Sequence, residues 1–286
     1  MDASEIDSFT IPAHDPANPS YTMNAAQTGT DKMRVNLGLL HHSETVTSVE
    51  AHIGSRLYAD FHDAIASPQL MAMNTAGHAR DRAHTLEAWS DIIRRAAAIG
   101  IDKFVVHASG EPIDAADRPA RMQHACTSLA HMADAAAQCG AVICIEDLPR
   151  TCLGHSIAEM QTLVAADPRL RVCIDTNHVT VEPPEALIRA LGDRLVTLHV
   201  SDFDFVNERH WLPGEGKIAW PRVLDALRAV DYRGVWLYEI GFACPKTIFR
   251  DRPLTCADFA RNAQELFAGK VPTVFSTPKP NLGMWE

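Results

Sequence analysis

The sequence is short of positive charge, of long apolar runs and of paired-cysteine spacing, and each shortage removes a class of function. The chain has 26 Lys and Arg against 36 Asp and Glu, a formal net charge of -10. That balance disfavours non-specific adhesion to nucleic acid or to an anionic membrane, because the summed field repels phosphate. No stretch approaches the length needed to span a bilayer, and the opening MDASEIDSFTIPAHDP has no basic start followed by an apolar run. The 7 cysteines, Cys126, Cys139, Cys144, Cys152, Cys173, Cys244 and Cys256, are odd in number and lack zinc-finger spacing. Reduced thiols in a cytoplasm account for them. The expectation is a soluble, cytoplasmic protein whose partners are neither membrane nor nucleic acid.

What is present is the composition of an ordered globular chain, 286 residues with 47% hydrophobic and 22% charged, and a single barrel is an ordinary use of that length. Residues 1–31 are polar, carry Pro12, Pro16 and Pro19, and read as an irregular arm; residues 32–270 read as the barrel and 271–286 as a tail. Within the barrel, β-rich runs at 34–40, 56–61, 102–107, 141–146, 171–175, 195–200 and 235–239 alternate with segments of helical spacing. The helical segments are 84–99, 121–138, 156–165, 184–191, 220–230 and 255–267, with a further short helix expected around 44–53. Gly100 and Gly140 stand where C-terminal caps belong, and Ser156 with Glu159 has the form of a capping box. Near-continuous apolar strands alternating with helices predict an α/β fold, a (β/α)8 TIM barrel. Only seven strands are legible, so the first βα units are expected to be incomplete or degenerate. Either the arm supplies a hidden strand or a unit is missing, in which case a second copy of the chain would cover the gap as a homo-oligomer.

The later strands stop in the same manner. FVVHASGEP reaches His107, VICIEDLPR reaches Glu146, VCIDTNH reaches Asp175, LVTLHVSD reaches His199 and VWLYEIG reaches Glu239. Strand C-termini of a parallel barrel open on one face, so side chains distant in sequence converge on one mouth. A single polar strand end is ordinary, but an ionisable group closing a fully apolar strand must be solvated, paired or bound to metal, and five in succession point to a site. Glu146, Asp175, His199 and Glu239 form a mostly oxygen donor set suited to one divalent ion, Mn, Mg or Co, and tolerant of Zn. Without an ion, three like charges repel, and at least one carboxylate should keep its proton.

Further polar residues crowd the same loops: His62, His178, Asp202, Glu208, Arg209 and His210. LPGEGKIAW reads as a tight turn entering a helix, and it lacks the spacing of a phosphate loop. Trp211, Phe242, Arg150 and Lys217 are pocket-lining candidates, and Arg150 or Lys217 could bind an anion. Substrate contacts are expected from His62, His107, Arg150, His178, His210 and Lys217.

At IEDLPR, IDTNH, LHVSDFD with ERHWLPGEG, and YEIG, found in this order between about residues 56 and 267, the chain resembles the xylose-isomerase-like TIM-barrel superfamily. That superfamily joins sugar isomerases and epimerases to repair enzymes of the endonuclease IV type. The resemblance implies metal coordination by Glu146, Asp175, His199 and Glu239, proton exchange with a sugar by Glu146 and Glu239 from opposite faces, and a sugar contact from His178. It implies an isomerase or epimerase acting through an enediolate. A dehydratase or lyase on a keto-sugar or inosose would use nearly the same residues. The repair reading draws on His62, His107, His178 and Glu208-Arg209-His210, but Glu208 stands where that branch has Asp. It also needs a basic rim, and no Lys/Arg cluster lies near these loops. A sugar-binding module without turnover is disfavoured by the number of convergent carboxylates.

Overall fold

From residue 101 onward, each apolar run read as a barrel strand forms one in the computed structural model, which describes residues 3–4, 33–39, 46–53, 86, 90–91, 93–94, 97–98, 101–280 and 282–283. The strands are β1 (Ala3–Ser4), β2 (Met33–Leu39), β3 (Val46–Ile53), β4 (Lys103–His107), β5 (Val142–Glu146), β6 (Arg171–Asp175), β7 (Leu195–Val200) and β8 (Leu237–Tyr238). They close into a barrel in that order. Strands β3 to β8 pair in parallel, and β8 pairs in parallel with β1. Only β2 runs against both neighbours.

The antiparallel β2 has a simple cause. Residues 40–45 alone join it to β3, whereas a parallel crossover needs about a dozen residues. The chain must therefore turn back on itself. The helix expected around 44–53 is corrected to the strand Val46–Ile53, because Val46, Thr47, Val49 and Ile53 are β-branched and lose side-chain freedom in a helix. Two barrel strands were absent from the sequence count, Val46–Ile53 and Ala3–Ser4, the latter taken from the N-terminal arm. The expected strand at 56–61, His62 and Gly100 lie outside the described residues.

Five helices follow: α1 (Arg118–Gln138), α2 (Ile157–Val164), α3 (Pro184–Leu191), α4 (Trp220–Ala229) and α5 (Cys256–Phe267), with helical residues also between 86 and 97. Alternation along the strands sorts the interior into two layers. Phe104, Val106, Ile143, Ile145, Val172, Ile174, Leu198 and Val200 face the helices and join Leu129, Met160, Leu163, Leu187, Val223 and Phe259 in the main core. Val105, Cys144 and Cys173 face inward and form a separate cluster inside the barrel. The next inward positions, His107, Glu146 and Asp175, therefore rise at the C-terminal mouth.

The helix ends decide where those strands begin and stop. Gly140 takes φ 72 just after α1, the left-handed turn that lets β5 start at once. Ser156 accepts a hydrogen bond from the Glu159 amide, but the Glu159 carboxylate turns to Gly154 N and Arg118, so only half of the expected box forms. A complete capping box occurs at α5 between Thr255 and Asp258. The tail is tied back as well, since β10 (Thr277–Pro278) pairs antiparallel with β9 (Ile248–Phe249). Thr255→Ala should lower unfolding free energy by about 1 kcal/mol, read as a shift of the denaturation midpoint at constant slope.

Candidate functional site

Four side chains meet where the strands end. Glu146 closes β5, Asp175 closes β6, His199 stands next to the end of β7, and Glu239 directly follows β8. One donor atom from each lies within 4.8 Å of the others. Glu146, Asp175 and His199 are buried, and the Glu239 side chain is 11% exposed. His199 Nδ1 is 2.8 Å from Glu146 Oε1 and 3.3 Å from Glu239 Oε2. The second Glu146 oxygen is 2.8 Å from His107 Nε2. Asp175 Oδ1 accepts from Asn177 N at 2.8 Å. Its Oδ2 is buried without a hydrogen bond, with His178 Nε2 3.5 Å away.

Confinement sets the protonation pattern. Burial works against every charge here. For Glu146 it is outweighed by His199 and His107, which hold the carboxyl well below its ordinary range. Glu239 is likewise held down by His199 against its own burial. Asp175 is pushed well up by burial and by the charges of Glu239 and Glu146. His199 is held well above its ordinary value although burial opposes it, through Cys173, Glu146 and Glu239. Asp175 and His199 thus keep their protons more readily than the free side chains do, and those protons offset part of the cluster's charge. A divalent cation would replace both, and the unbonded Asp175 Oδ2 gives it a donor. The residues fit such an ion.

A second grouping shares two members: Glu146, His199 and Cys173. The sequence reading had treated Cys173 only as a reduced thiol. Its position two residues before Asp175 on a strand, hence on the same face, was the available signal.

Loops on this face are held by buried acceptors. Asp147 Oδ1 takes Asp175 N at 2.8 Å, and its carbonyl accepts the His178 Nδ1–H, which turns His178 Nε2 toward Asp175. Asn177 Oδ1 accepts from Arg209 N and His210 N, while His210 Nδ1 donates to the Glu239 carbonyl at 3.0 Å. Asp202 satisfies four donors, Phe203 N and Ile218 N through Oδ1, Gly214 N and Trp220 Nε1 through Oδ2. Arg150, Phe205 and His210 take φ 53, 63 and 51, and such left-handed backbone concentrates at functional sites.

Other expected contacts fall elsewhere. Arg150 is engaged by Glu111, Asn207 and Glu208, strapping three loops together, so its charge is already matched and does not supply an anion site. Glu208, from the repair-enzyme pattern, is consumed in that strap, and Arg209 pairs with Asp204 at 2.9 Å. Lys217 is exposed and its amide bonds Phe203 O. Trp211 is buried with Nε1 on Thr247 Oγ1, and Phe242, partly buried, packs edge-on against Phe259; contacts with protein partners account for both.

Residues 55–251 match the family profile described as Xylose isomerase-like TIM barrel. The chain is 28% identical over 123 residues to a fructoselysine 3-epimerase of Escherichia coli O157:H7, a stretch that is 42% of this chain and 42% of that one. It is 31% identical over 72 residues to a D-psicose 3-epimerase of Enterocloster bolteae, 24% of this chain and 22% of the relative. The matched stretches thus span less than half of these curated relatives. A solved D-tagatose 3-epimerase-like protein shares the fold with a TM-score of 0.57 at 20% identity, over 67% of this chain and 71% of that one.

A Cβ added at Gly216 would lie 2.2 Å from Asp202 Oδ1 and 2.4 Å from Phe203 O. With Asp202 fixed by its four donors, Gly216→Ala should cost about 1–3 kcal/mol, detected as a lowered melting temperature.

Proposed function

The chain belongs to the xylose isomerase-like TIM barrel family, and from that premise we propose that it is a divalent-metal-dependent isomerase or epimerase of a sugar or sugar derivative. Both curated relatives are named 3-epimerases, of fructoselysine and of D-psicose, which supports epimerisation of a ketose in particular. The observation that carries the reading is the convergence of two glutamates, Glu146 and Glu239, from different strands on His199 Nδ1 at 2.8 and 3.3 Å.

Glu146, Asp175, His199 and Glu239 would hold the ion. When bound, a divalent ion of the Mn, Mg, Co or Zn kind supplies Lewis-acid polarisation of adjacent substrate oxygens, which lowers the cost of losing a C–H proton beside a carbonyl. One glutamate, ionised, takes that proton and the C–H electron pair becomes the enediolate. The other, which favours the ionised form in the metal-free site and so takes up a proton as substrate binds, returns it to the same carbon on the opposite face, and the carbonyl re-forms. The two exchange roles when the reaction runs backward. His107 beside Glu146 and His178 beside Asp175 stand where they would hold sugar hydroxyls. The buried walls exclude water that would otherwise compete for the enediolate.

Stripping the protein with a chelator and restoring single ions should abolish and then recover conversion of ketoses, with solvent deuterium entering the recovered sugar. Glu146→Gln and Glu239→Gln should each lower turnover on the order of 100-fold or more with unchanged circular dichroism. Normal turnover by either variant would remove that residue from proton transfer. Elimination of water would point to a dehydratase, and cleavage of abasic DNA to the repair branch.

Metal affinity should rise with pH. The ligating forms of Asp175 and His199 are deprotonated, and both groups hold their protons above the ordinary range. Affinity is therefore weak while both are protonated and reaches its plateau once pH exceeds both folded values. Calorimetric titration with Mn²⁺ across pH should show this rise together with proton release on binding.

A further inference from the structure

His199 addresses both glutamates through one nitrogen, Nδ1. The ring is completely buried, so no bulk water can satisfy the opposite nitrogen. An imidazole that ligates a metal needs an acceptor for its second N–H, because that bond fixes the tautomer and the plane of the ring. Cys173 is placed to be that acceptor. Its side chain is fully buried, its sulfur groups with Glu146 and His199 within 4.8 Å, and it helps to hold the His199 ring in its charged form.

Register explains the placement. Across β6 and β7, Asp175 pairs with His199 and Cys173 with Thr197. Cys173 thus stands one inward layer beneath the four-residue ring, among Val105 and Cys144. It does not join the grouping that contains Asp175 and Glu239, which sets it under the ion position. A thiol is also the economical acceptor there. A carboxylate there would add a fourth to the three already in the ring, whereas sulfur is a weak acceptor that takes an N–H without needing a full charge.

We propose that Cys173 is a positioning residue: it accepts the second ring N–H of His199 and so locks the tautomer whose Nδ1 lone pair faces the ion. The proposal rests on the metal-holding reading of the ring.

The test uses the full chain with Cys173→Ala, Cys173→Ser and Cys173→Val, the last filling the space without offering an acceptor. Titration with Mn²⁺ should give an affinity about 10-fold or more lower for the Ala and Val variants, with Ser restoring most of it. In Mg²⁺-loaded, ¹⁵N-labelled protein, the His199 ring should show one tautomer in the parent and in Cys173→Ser, and a mixture in Cys173→Val. The Co²⁺-loaded parent should lack a sulfur-to-cobalt charge-transfer band. Unchanged Mn²⁺ affinity and an unchanged tautomer in the Val variant would overturn the proposal. So would a charge-transfer band lost on substitution, since Cys173 would then be a ligand. A parent protein that binds neither Mn²⁺ nor Co²⁺ would strike the metal reading itself and this inference with it.

Discussion

Three carboxylates and one imidazole share the largely buried mouth of a barrel, and the resulting need for positive charge governs the architecture around them. Buried like charges at this spacing cannot all persist. The cluster answers by favouring protons on Asp175 and His199 and the ionised form of Glu146 and Glu239 beside the imidazole. A divalent ion is the natural replacement for that pair of protons. Because the charge is confined rather than solvated, small displacements of any member carry a large electrostatic cost, so the surrounding loops must be stiff.

Stiffness comes from acceptors buried inside the loops. Asp147, Asn177 and Asp202 each bind backbone or indole N–H groups that would otherwise be orphaned, and each follows closely on a strand end that carries Glu146, Asp175 or His199. Arg150 joins Glu111, Asn207 and Glu208 across three connections. Such partly buried pairs contribute more by fixing geometry than by raw stability. The loop after β7 is bridged back on itself, Asp202 N to Trp211 O at 2.7 Å and Trp211 N to Asp202 O at 3.0 Å, which brings His210 under Glu239. The protein thus spends polar groups on holding the mouth, while the apolar barrel walls below supply the cohesion.

Much of the barrel was legible because β4 to β8 are each apolar runs with an ionisable residue at or next to their ends. Arg171–Asp175, Leu195–Val200 and Pro184–Leu191 have the limits that the sequence pattern implied. Helix α1 begins earlier than its periodicity suggested, at Arg118, since Pro119 is tolerated in a first turn and polar residues there carry no period. Strand β8 is shorter than expected, Leu237–Tyr238, because only those residues find partners on β7, at His199 and Val200. Strand β2 was legible, whereas β3 reads as a helix for want of a period long enough to separate strand from helix.

By itself the chain determined which side chains close each strand, since a run of apolar residues ended by Glu, Asp or His is a local property, and parallel strands then carry those ends to one face. What folding alone decided was how the side chains meet. Cys173 beneath His199, Arg150 consumed by two glutamates, and Asp202 gathering four donors all depend on register between strands and on loop paths. Those pairings join residues tens of positions apart, and no local pattern encodes a distance between two side chains until the barrel has closed.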